Sequence, residues 1–239
     1  MRYSKVKKYI SSALFILIFC TNYSFAQKVK NLPNYDFQNW HFGFLLGVNK
    51  ANFIIHPRPV LASLDSVYVV ESTPQSGFNL GIVTNLRMGN YADLRFIPNL
   101  AFSTRDLNYQ FKSSKGTVER KKSVESTFVD FPLDVKLKSE RLNNFRAYII
   151  IGGKYSIDIV SQKNVNSELL TDAIVKLRKN DFYYSVGVGF DFYLQYFKFS
   201  PELKYSFGVR DLLIHEDNVF SNSIDKMTSK IINVSFTFE

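Results

Sequence analysis

The chain has 239 residues, of which 46% are hydrophobic and 21% are charged, so it can bury one substantial core and is too apolar to be disordered. Its single cysteine, Cys20, excludes an intrachain disulfide framework and a cysteine metal cluster. The three histidines, His41, His56 and His215, leave little for a histidine-based site.

The first 26 residues have the pattern of a secretory signal peptide. Four cations precede an apolar run at 13–20, and the small residues Ser24 and Ala26 predict cleavage after Ala26. The apolar run is about half as long as a spanning helix, which disfavours a membrane anchor. Cleavage lowers the net charge from +9 to +5, and because the mature chain is exported we do not interpret this charge as nucleic-acid binding.

Alternation with period two dominates the mature chain and predicts β-strands. In the segment 197–210, for example, Phe199 and Leu203 fall on one face while Glu202 and Lys204 fall on the other. The same pattern predicts eight strands, at 41–53, 77–88, 91–110, 123–138, 145–159, 181–194, 197–210 and 226–238.

The predicted connections alternate between long and short. The long ones are 54–76, 111–122, 160–180 and 211–225, and the short ones are 89–90, 139–144 and 195–196. Short turns at one end and long loops at the other are typical of an outer-membrane barrel, with periplasmic turns and extracellular loops. The sequence therefore predicts an all-β, eight-stranded antiparallel up-and-down transmembrane β-barrel at 41–239, after a periplasmic lead-in at 27–40.

The chemistry of the two strand faces distinguishes this barrel from a soluble one. The apolar faces carry almost no charge over about ten residues, the length of a tilted membrane strand. The opposite faces predict an interior charge network made of Arg95, Asp130, Asp134, Lys136, Lys154, Asp158, Asp191, Lys198, Glu202 and Lys204. A soluble lipocalin-like carrier, which would turn its apolar faces inward, is the disfavoured alternative.

No constellation in the sequence predicts catalysis. His56 and His215 fall in different predicted loops, where a pairing with Asp65, Glu216 or Asp217 is conceivable but unpaired surface histidines are more common. Asp130 and Asp134 share a face about 13 Å apart along the strand, too far for paired-carboxylate chemistry. We expect no enzyme activity, no metal, no cofactor and no small-molecule substrate.

Two predicted loops and several tyrosines are candidates for surface contacts. The second loop is basic, with Lys112, Lys115, Arg120, Lys121 and Lys122; it is a candidate for contact with anionic lipid head groups or a protein, although a solvated loop without a partner is more common. The third loop has an apolar stripe at helical spacing, which either forms a contact surface or packs onto the barrel rim; it consists of Leu169, Leu170, Ala173, Ile174 and Leu177. Interfacial aromatic girdles are expected among Tyr91, Tyr148, Tyr155, Tyr183, Tyr193, Tyr196 and Tyr205, although core packing explains any single ring equally well.

Two stretches resemble a known family. Residues 31–36 (NLPNYD), followed by 41–44 (HFGF) with Gly47, Asn49 and Phe53, resemble the beginning of the mature PorT/SprT proteins of Bacteroidetes. The strand 128–136 (FVDFPLDVK) is similar to a strand of the wider outer-membrane barrel family to which PorT belongs. The resemblance implies a non-catalytic outer-membrane component of the type IX secretion system, required for gliding motility where that occurs, with other secretion components as partners.

The lead-in offers candidate partner contacts, because it precedes the first strand and is not needed to span the bilayer. These candidates are Leu32, Pro33, Tyr35, Trp40 and His41. A plug under the barrel mouth, with Trp40 as an interfacial anchor, explains the same residues equally well. A small passive pore is a further alternative, although eight strands enclose an interior that side chains just fill.

Overall fold

The computed structural model describes residues 29–58, 67–113, 116–160, 177–215 and 223–239. The predicted signal peptide, the apolar stripe from Leu169 to Ile174 and the acidic candidates Asp65, Glu216 and Asp217 lie outside them. Within the described ranges, no helix is long and apolar enough to cross a membrane. Residues Met1–Lys30 form a separate unit, of which only Val29 and Lys30 are described.

The second unit, Asn31–Glu239, is almost entirely β-structure. After a 3₁₀ helix (Tyr35–Phe37), its strands are β1 (Trp40–Pro57), β2 (Val67–Arg87), β3 (Ala92–Phe96), β4 (Asn99–Ser113), β5 (Gly116–Lys138), β6 (Phe145–Asp158), β7 (Asn180–Tyr193), β8 (Lys198–Gly208) and β9 (Ile224–Phe238).

The strands form one closed antiparallel sheet, which confirms the predicted up-and-down barrel. Strand β1 pairs with β2 on one side and with β9 on the other, so that the sheet closes on itself. The prediction of eight continuous strands was wrong in one place, because the third strand is divided into β3 and β4 at Ile97 and Pro98. Both parts pair with β2 and β5, and Pro98, which has no N–H, interrupts the ladder between them.

Two of the predicted loops were also wrong, because the strands continue well past their apolar segments. Strands β2 and β4 pair up to Val67 and Phe111, and the β4–β5 hairpin reaches Ser113 and Gly116. Most of 54–76 and 111–122 is therefore strand. Alternation fades there because neither face of the hairpin meets a uniformly apolar medium, while the backbone hydrogen bonds continue.

The outward face of the wall is apolar and the inward face is polar. On β7, Phe182, Val186 and Phe190 are exposed while Asp181, Ser185 and Asp191 are buried, as period two requires. For Tyr148, Tyr183 and Tyr193 the structure favours the alternative of core packing, since these rings are 4%, 4% and 1% exposed inside the barrel.

The two faces exchange character at the end of the barrel that carries the long connections. On β4 the outward residues change from Leu100 and Phe102 to Asp106 and Asn108, and inward Leu107 is fully buried. An apolar group that we call the end cluster fills the lumen there; it consists of Phe53, Leu107, Tyr109, Leu212, Leu213, Ile224 and Met227. Leu177 packs against the end cluster and bridges to Leu213.

Glycines on the inward face provide room for large side chains. A β-carbon on Gly189 would lie 2.4 Å from the ring of Tyr148, which occupies that space across the β6–β7 pair. A β-carbon on Gly152 would lie 2.2 Å from the Asp134 carboxylate. Such contacts are impossible, so these two positions require glycine for the interior to fill as it does.

Candidate functional site

Ion pairs between strands that are not direct neighbours fill the half of the barrel interior that lies nearer the short turns. The Arg95 guanidinium donates to Glu202 Oε2 at 2.8 Å, and both side chains are at most 1% exposed. Lys136 Nζ lies 2.7 Å from Asp191 Oδ1, which also accepts a hydrogen bond from the Ser200 hydroxyl at 2.7 Å. The extra hydrogen bond matters because a buried pair must recover the hydration that both ions lose.

Further pairs lie towards the middle of the barrel. Lys204 Nζ approaches Asp134 Oδ2 to 2.5 Å, and Lys154 Nζ approaches Asp130 Oδ2 to 2.8 Å. The Ser156 hydroxyl donates to the other Asp130 oxygen at 2.6 Å.

The structure places all ten residues of the predicted interior network on the inward face. Nine are buried and the Lys154 side chain is 12% exposed. Eight form the four pairs described above, and Lys198 pairs with Glu239 at 2.9 Å. Asp158 instead accepts a hydrogen bond from the backbone of Val160 at 3.1 Å.

Sequence reasoning missed a chain of amides at mid-barrel. Asn79 accepts a hydrogen bond from Asn49 and donates to Asn233 Oδ1, the latter at 2.6 Å. Each of these asparagines occupies an inward position of its strand, and this position in the period-two pattern was the signal available in the sequence. The cavity beside them has a volume of about 40 Å³, room for only a few waters.

Arg105 was also missed, and its environment differs from that of the paired cations. Its guanidinium lies 4.2 Å from the centre of the Phe53 ring and donates to the hydroxyls of Ser126 and Ser229, each at 3.1 Å. An aromatic face and two hydroxyls stabilise the buried cation in place of a carboxylate. Arg105 thus joins the polar interior to the end cluster.

The lead-in folds back against the end of the barrel that carries the short turns. The Tyr35 hydroxyl donates to Glu239 Oε2 at 2.9 Å and accepts from Lys198 Nζ at 2.7 Å. The Tyr35 ring stacks on His41 with centroids 3.9 Å apart, and His41 Nε2 donates to the Tyr35 carbonyl at 2.8 Å. Burial and the neighbouring Glu239 carboxylate raise the pKa of Tyr35, so the phenol stays neutral.

Asp36 makes a second attachment. Its carboxylate accepts from Arg141 and Arg146, each at 3.1 Å, and from the Tyr193 hydroxyl at 3.3 Å. Burial alone would raise the pKa of Asp36, but the two guanidinium groups outweigh it and hold the pKa below its usual range.

Asn31 makes the third attachment. Its backbone N–H donates to Asn144 Oδ1 at 2.8 Å and its side chain donates to the Tyr193 carbonyl at 2.9 Å. We call the contacts of Asn31, Tyr35 and Asp36 with the barrel the lead-in clasp. With the clasp below and the end cluster above, the described residues leave no continuous channel through the lumen.

Comparison with known proteins places this architecture in a family. The model of the family described as "Outer membrane protein beta-barrel domain" matches residues 25–213. The chain belongs to this family of outer-membrane barrels. Its short turns accordingly face the periplasm, and its apolar outward wall contacts the lipid of the outer membrane.

Solved structures of outer-membrane proteins are similar in fold. Neisserial surface protein A (NspA) is 10% identical, with 84% of this chain and 98% of that one covered at a TM-score of 0.41. OprG of Pseudomonas aeruginosa is 12% identical, with 84% and 96% covered at a TM-score of 0.40. None of the curated proteins matches the sequence.

The five residues predicted to contact a partner do not form one surface on this outer-membrane barrel. Tyr35 and His41 point into the clasp, and Leu32 is half-buried. Pro33 and Trp40 are exposed, and the Trp40 ring, 52% exposed, stacks on Phe42. A partner contact through the lead-in stays a prediction, and only its exposed residues are accessible while the clasp is closed.

Within the described ranges, no group of three or more histidine, cysteine, aspartate or glutamate side chains could hold a metal ion. His56 and His215 are both exposed. Among the described residues, ion pairs occupy the barrel interior.

Proposed function

We propose that this outer-membrane barrel is a non-catalytic component of the type IX secretion system, exported with a signal peptide cut after Ala26 in a Bacteroidetes-like cell. It acts through contacts with other secretion components, as an accessory or assembly factor. Gliding motility depends on it where that occurs. The observation that carries this proposal is the filled lumen, because a barrel without a channel can serve export only through its surfaces.

The clasp supports the same proposal. The residues that carry the resemblance to PorT/SprT proteins include Tyr35, Asp36 and His41, and these residues fix the lead-in at the periplasmic mouth. A segment held there presents Pro33 to the periplasm, where components of an export machine would meet it, and exposed Trp40 lies beside it at the start of β1.

Deletion of the gene in a type IX secretor tests the proposal. We expect cargo proteins with C-terminal sorting domains to accumulate in the periplasm, and restoration of export by the full chain. Normal secretion in a clean deletion strain would reject the proposal.

Point variants in the complemented strain test the lead-in separately. We expect Pro33→Ala with Trp40→Ala to reduce export while the barrel still inserts, as scored by heat-modifiable electrophoretic migration. Tyr196→Ala is the matched control, because this aromatic side chain is 83% exposed on a periplasmic turn and outside the predicted contact set.

A small passive pore is the competing function. It requires an ion path through the interior, which ion pairs, amides and the end cluster occupy in the described residues. Single-channel conductance in a planar bilayer distinguishes the two, since we expect no steady conductance and regular open-channel steps would favour the pore.

A further inference from the structure

The outward wall around β1 and β9 changes from apolar to basic between two successive rows of side chains, where a row consists of residues that pair across neighbouring strands. In the lower row every side chain is apolar and between 44% and 55% exposed; it consists of Leu203, Val234, Val48 and Phe78. The next outward row, nearer the long connections, consists of Tyr205, Ile232, Lys50 and Ser76. The apolar band of this part of the wall therefore ends at Lys50, on the extracellular side.

Lys230 lies one row further out and leans back towards Lys50. Its backbone pairs with Asn52 on β1 and Phe207 on β8, but its ammonium group lies 5.3 Å from the centre of the Tyr205 ring, in the row of Lys50. Lys50 and Lys230 are diagonal neighbours on β1 and β9, and the Cα atoms of such neighbours are about 7–8 Å apart. Two long, flexible side chains at this spacing can bring both ammonium groups to one anion.

The strands that flank the two lysines are described and carry few acids. At Lys50 the neighbours of β1 are β2 and β9, and at Lys230 the neighbours of β9 are β1 and β8. Strand β1 contains no acid, and β2 and β9 contain one each, Glu71 and Asp225, which lie in rows further out. The acid of β8, Glu202, is buried in the lumen. These strands therefore place no carboxylate in the row that holds the two ammonium groups.

The position of this pair favours a lipid over a soluble anion. Acyl chains contact the apolar row of Val48 and Val234, so the head group of the same lipid lies one row further out, beside the lysines. A lysine at this depth packs its methylene stem on apolar neighbours and holds its ammonium group at the interface, as Lys230 does on Tyr205. The charged part of an anionic head group is most often a phosphate, which lysine binds as a point charge.

We propose that Lys50 and Lys230 together bind the phosphate group of a lipid in the outer leaflet of the outer membrane, with its acyl chains along Val48 and Val234. Tyr205 is a positioning residue, because its ring holds the Lys230 ammonium group in the row of Lys50. The proposal requires only that the barrel lies in the outer membrane and does not depend on a role in secretion.

The test uses the folded barrel in a neutral detergent, titrated with dioleoyl phosphatidic acid and followed by native mass spectrometry. Dioleoylglycerol, which has the same chains without the phosphate, is the ligand control, and inorganic phosphate in large excess is the competitor. The variants are Lys50→Gln, Lys230→Gln and the double variant. Lys179→Gln is the matched control, because this exposed lysine precedes β7, two strands away from β9. Heat-modifiable migration verifies that each variant is folded.

We expect phosphatidic acid to bind wild type and Lys179→Gln equally. Each single variant should weaken binding about fivefold and the double variant about thirtyfold, as expected for one and two cations beside an anionic head group. Dioleoylglycerol should bind no better to wild type than to the double variant, and inorganic phosphate should not displace the lipid.

Three results would overturn the proposal. Unchanged binding of phosphatidic acid to the double variant would show that the wall binds lipid through its apolar rows alone. An equal loss in Lys179→Gln would show a general effect of net charge. Displacement of the lipid by inorganic phosphate would show a site for a free anion.

Discussion

Replacement of Asp36 by asparagine should loosen the lead-in while leaving the barrel folded. The carboxylate accepts two charge-assisted hydrogen bonds from Arg141 and Arg146, each at 3.1 Å, and its side chain is 22% exposed. The Asp36→Asn side chain keeps the shape and one acceptor but loses the charge that holds both guanidinium groups.

The expected size of the effect follows from these contacts. A hydrogen bond to a charged group contributes about 1.5–3 kcal/mol when buried, and partial exposure reduces the contribution of the pair. We therefore expect the free energy of opening of the lead-in to fall by about 2 kcal/mol, an increase of about thirtyfold in the open population.

Hydrogen–deuterium exchange of the lead-in measures this opening. The amide hydrogens of Tyr35 and Phe37, bonded to the carbonyls of Leu32 and Asn34, should exchange faster in Asp36→Asn. Asn39→Ala is the control, because that exposed side chain lies outside the clasp. Unchanged protection of these amides in an intact Asp36→Asn barrel would refute the view that Asp36 fixes the lead-in.

Four further outcomes are expected. The wild-type lead-in should open as the pH falls below about 4. The pKa of Asp36 is lower in the folded state than in the unfolded state, so its carboxylate stabilises the closed lead-in fully above the unfolded pKa and loses this contribution as the pH falls through the folded pKa. Constant hydrogen exchange of the lead-in from pH 7 to pH 3, corrected for intrinsic rates, would contradict this. Asp191→Asn should cost about 3–5 kcal/mol in guanidinium unfolding in micelles, because Lys136 stays buried without its charge partner, and a loss below 1 kcal/mol would count against the ion-paired core. Gly189→Val should cost about 1–3 kcal/mol in the same assay, since its β-carbon overlaps the Tyr148 ring, and wild-type stability would show that the ring moves aside freely. Leu203→Lys should cost about 2–4 kcal/mol on refolding into bilayers, and a neutral result would place that face away from lipid.

The alternation of apolar and polar residues predicted the barrel because each membrane strand has one face towards lipid and the other towards the polar interior. On β8 the sequence assigns Leu203 outward and Glu202 inward, and the structure has them 49% and 3% exposed. The same rule could not find the ends of β4 and β5, where the face that meets lipid below meets water above. The predicted ends of β4 and β5 were wrong because the medium around the strands changes there, although the backbone pairing continues unchanged.

The candidate site was only partly visible in the sequence. The period-two pattern identified inward cations and acids such as Arg95 and Glu202. It did not show which cation pairs with which acid, because these two partners lie on strands far apart in the chain. The clasp could not be derived for a different reason. Asn31, Tyr35 and Asp36 precede the strands and have no periodicity, so only the closed barrel defines the groups that they reach.

The sequence separation of the interior pairs has a consequence for biogenesis. Glu202 follows Arg95 by 107 residues, and the two residues lie on β8 and β3, which are not paired with each other, so this ion pair forms only when the sheet curves round the lumen. Before the β1–β9 seam closes, Arg95 and Glu202 would each be an unpaired charge in a lumen that is open to water. Closure of the β1–β9 seam brings β3 and β8 to face each other across the lumen, so an open sheet lacks the attraction between Arg95 and Glu202.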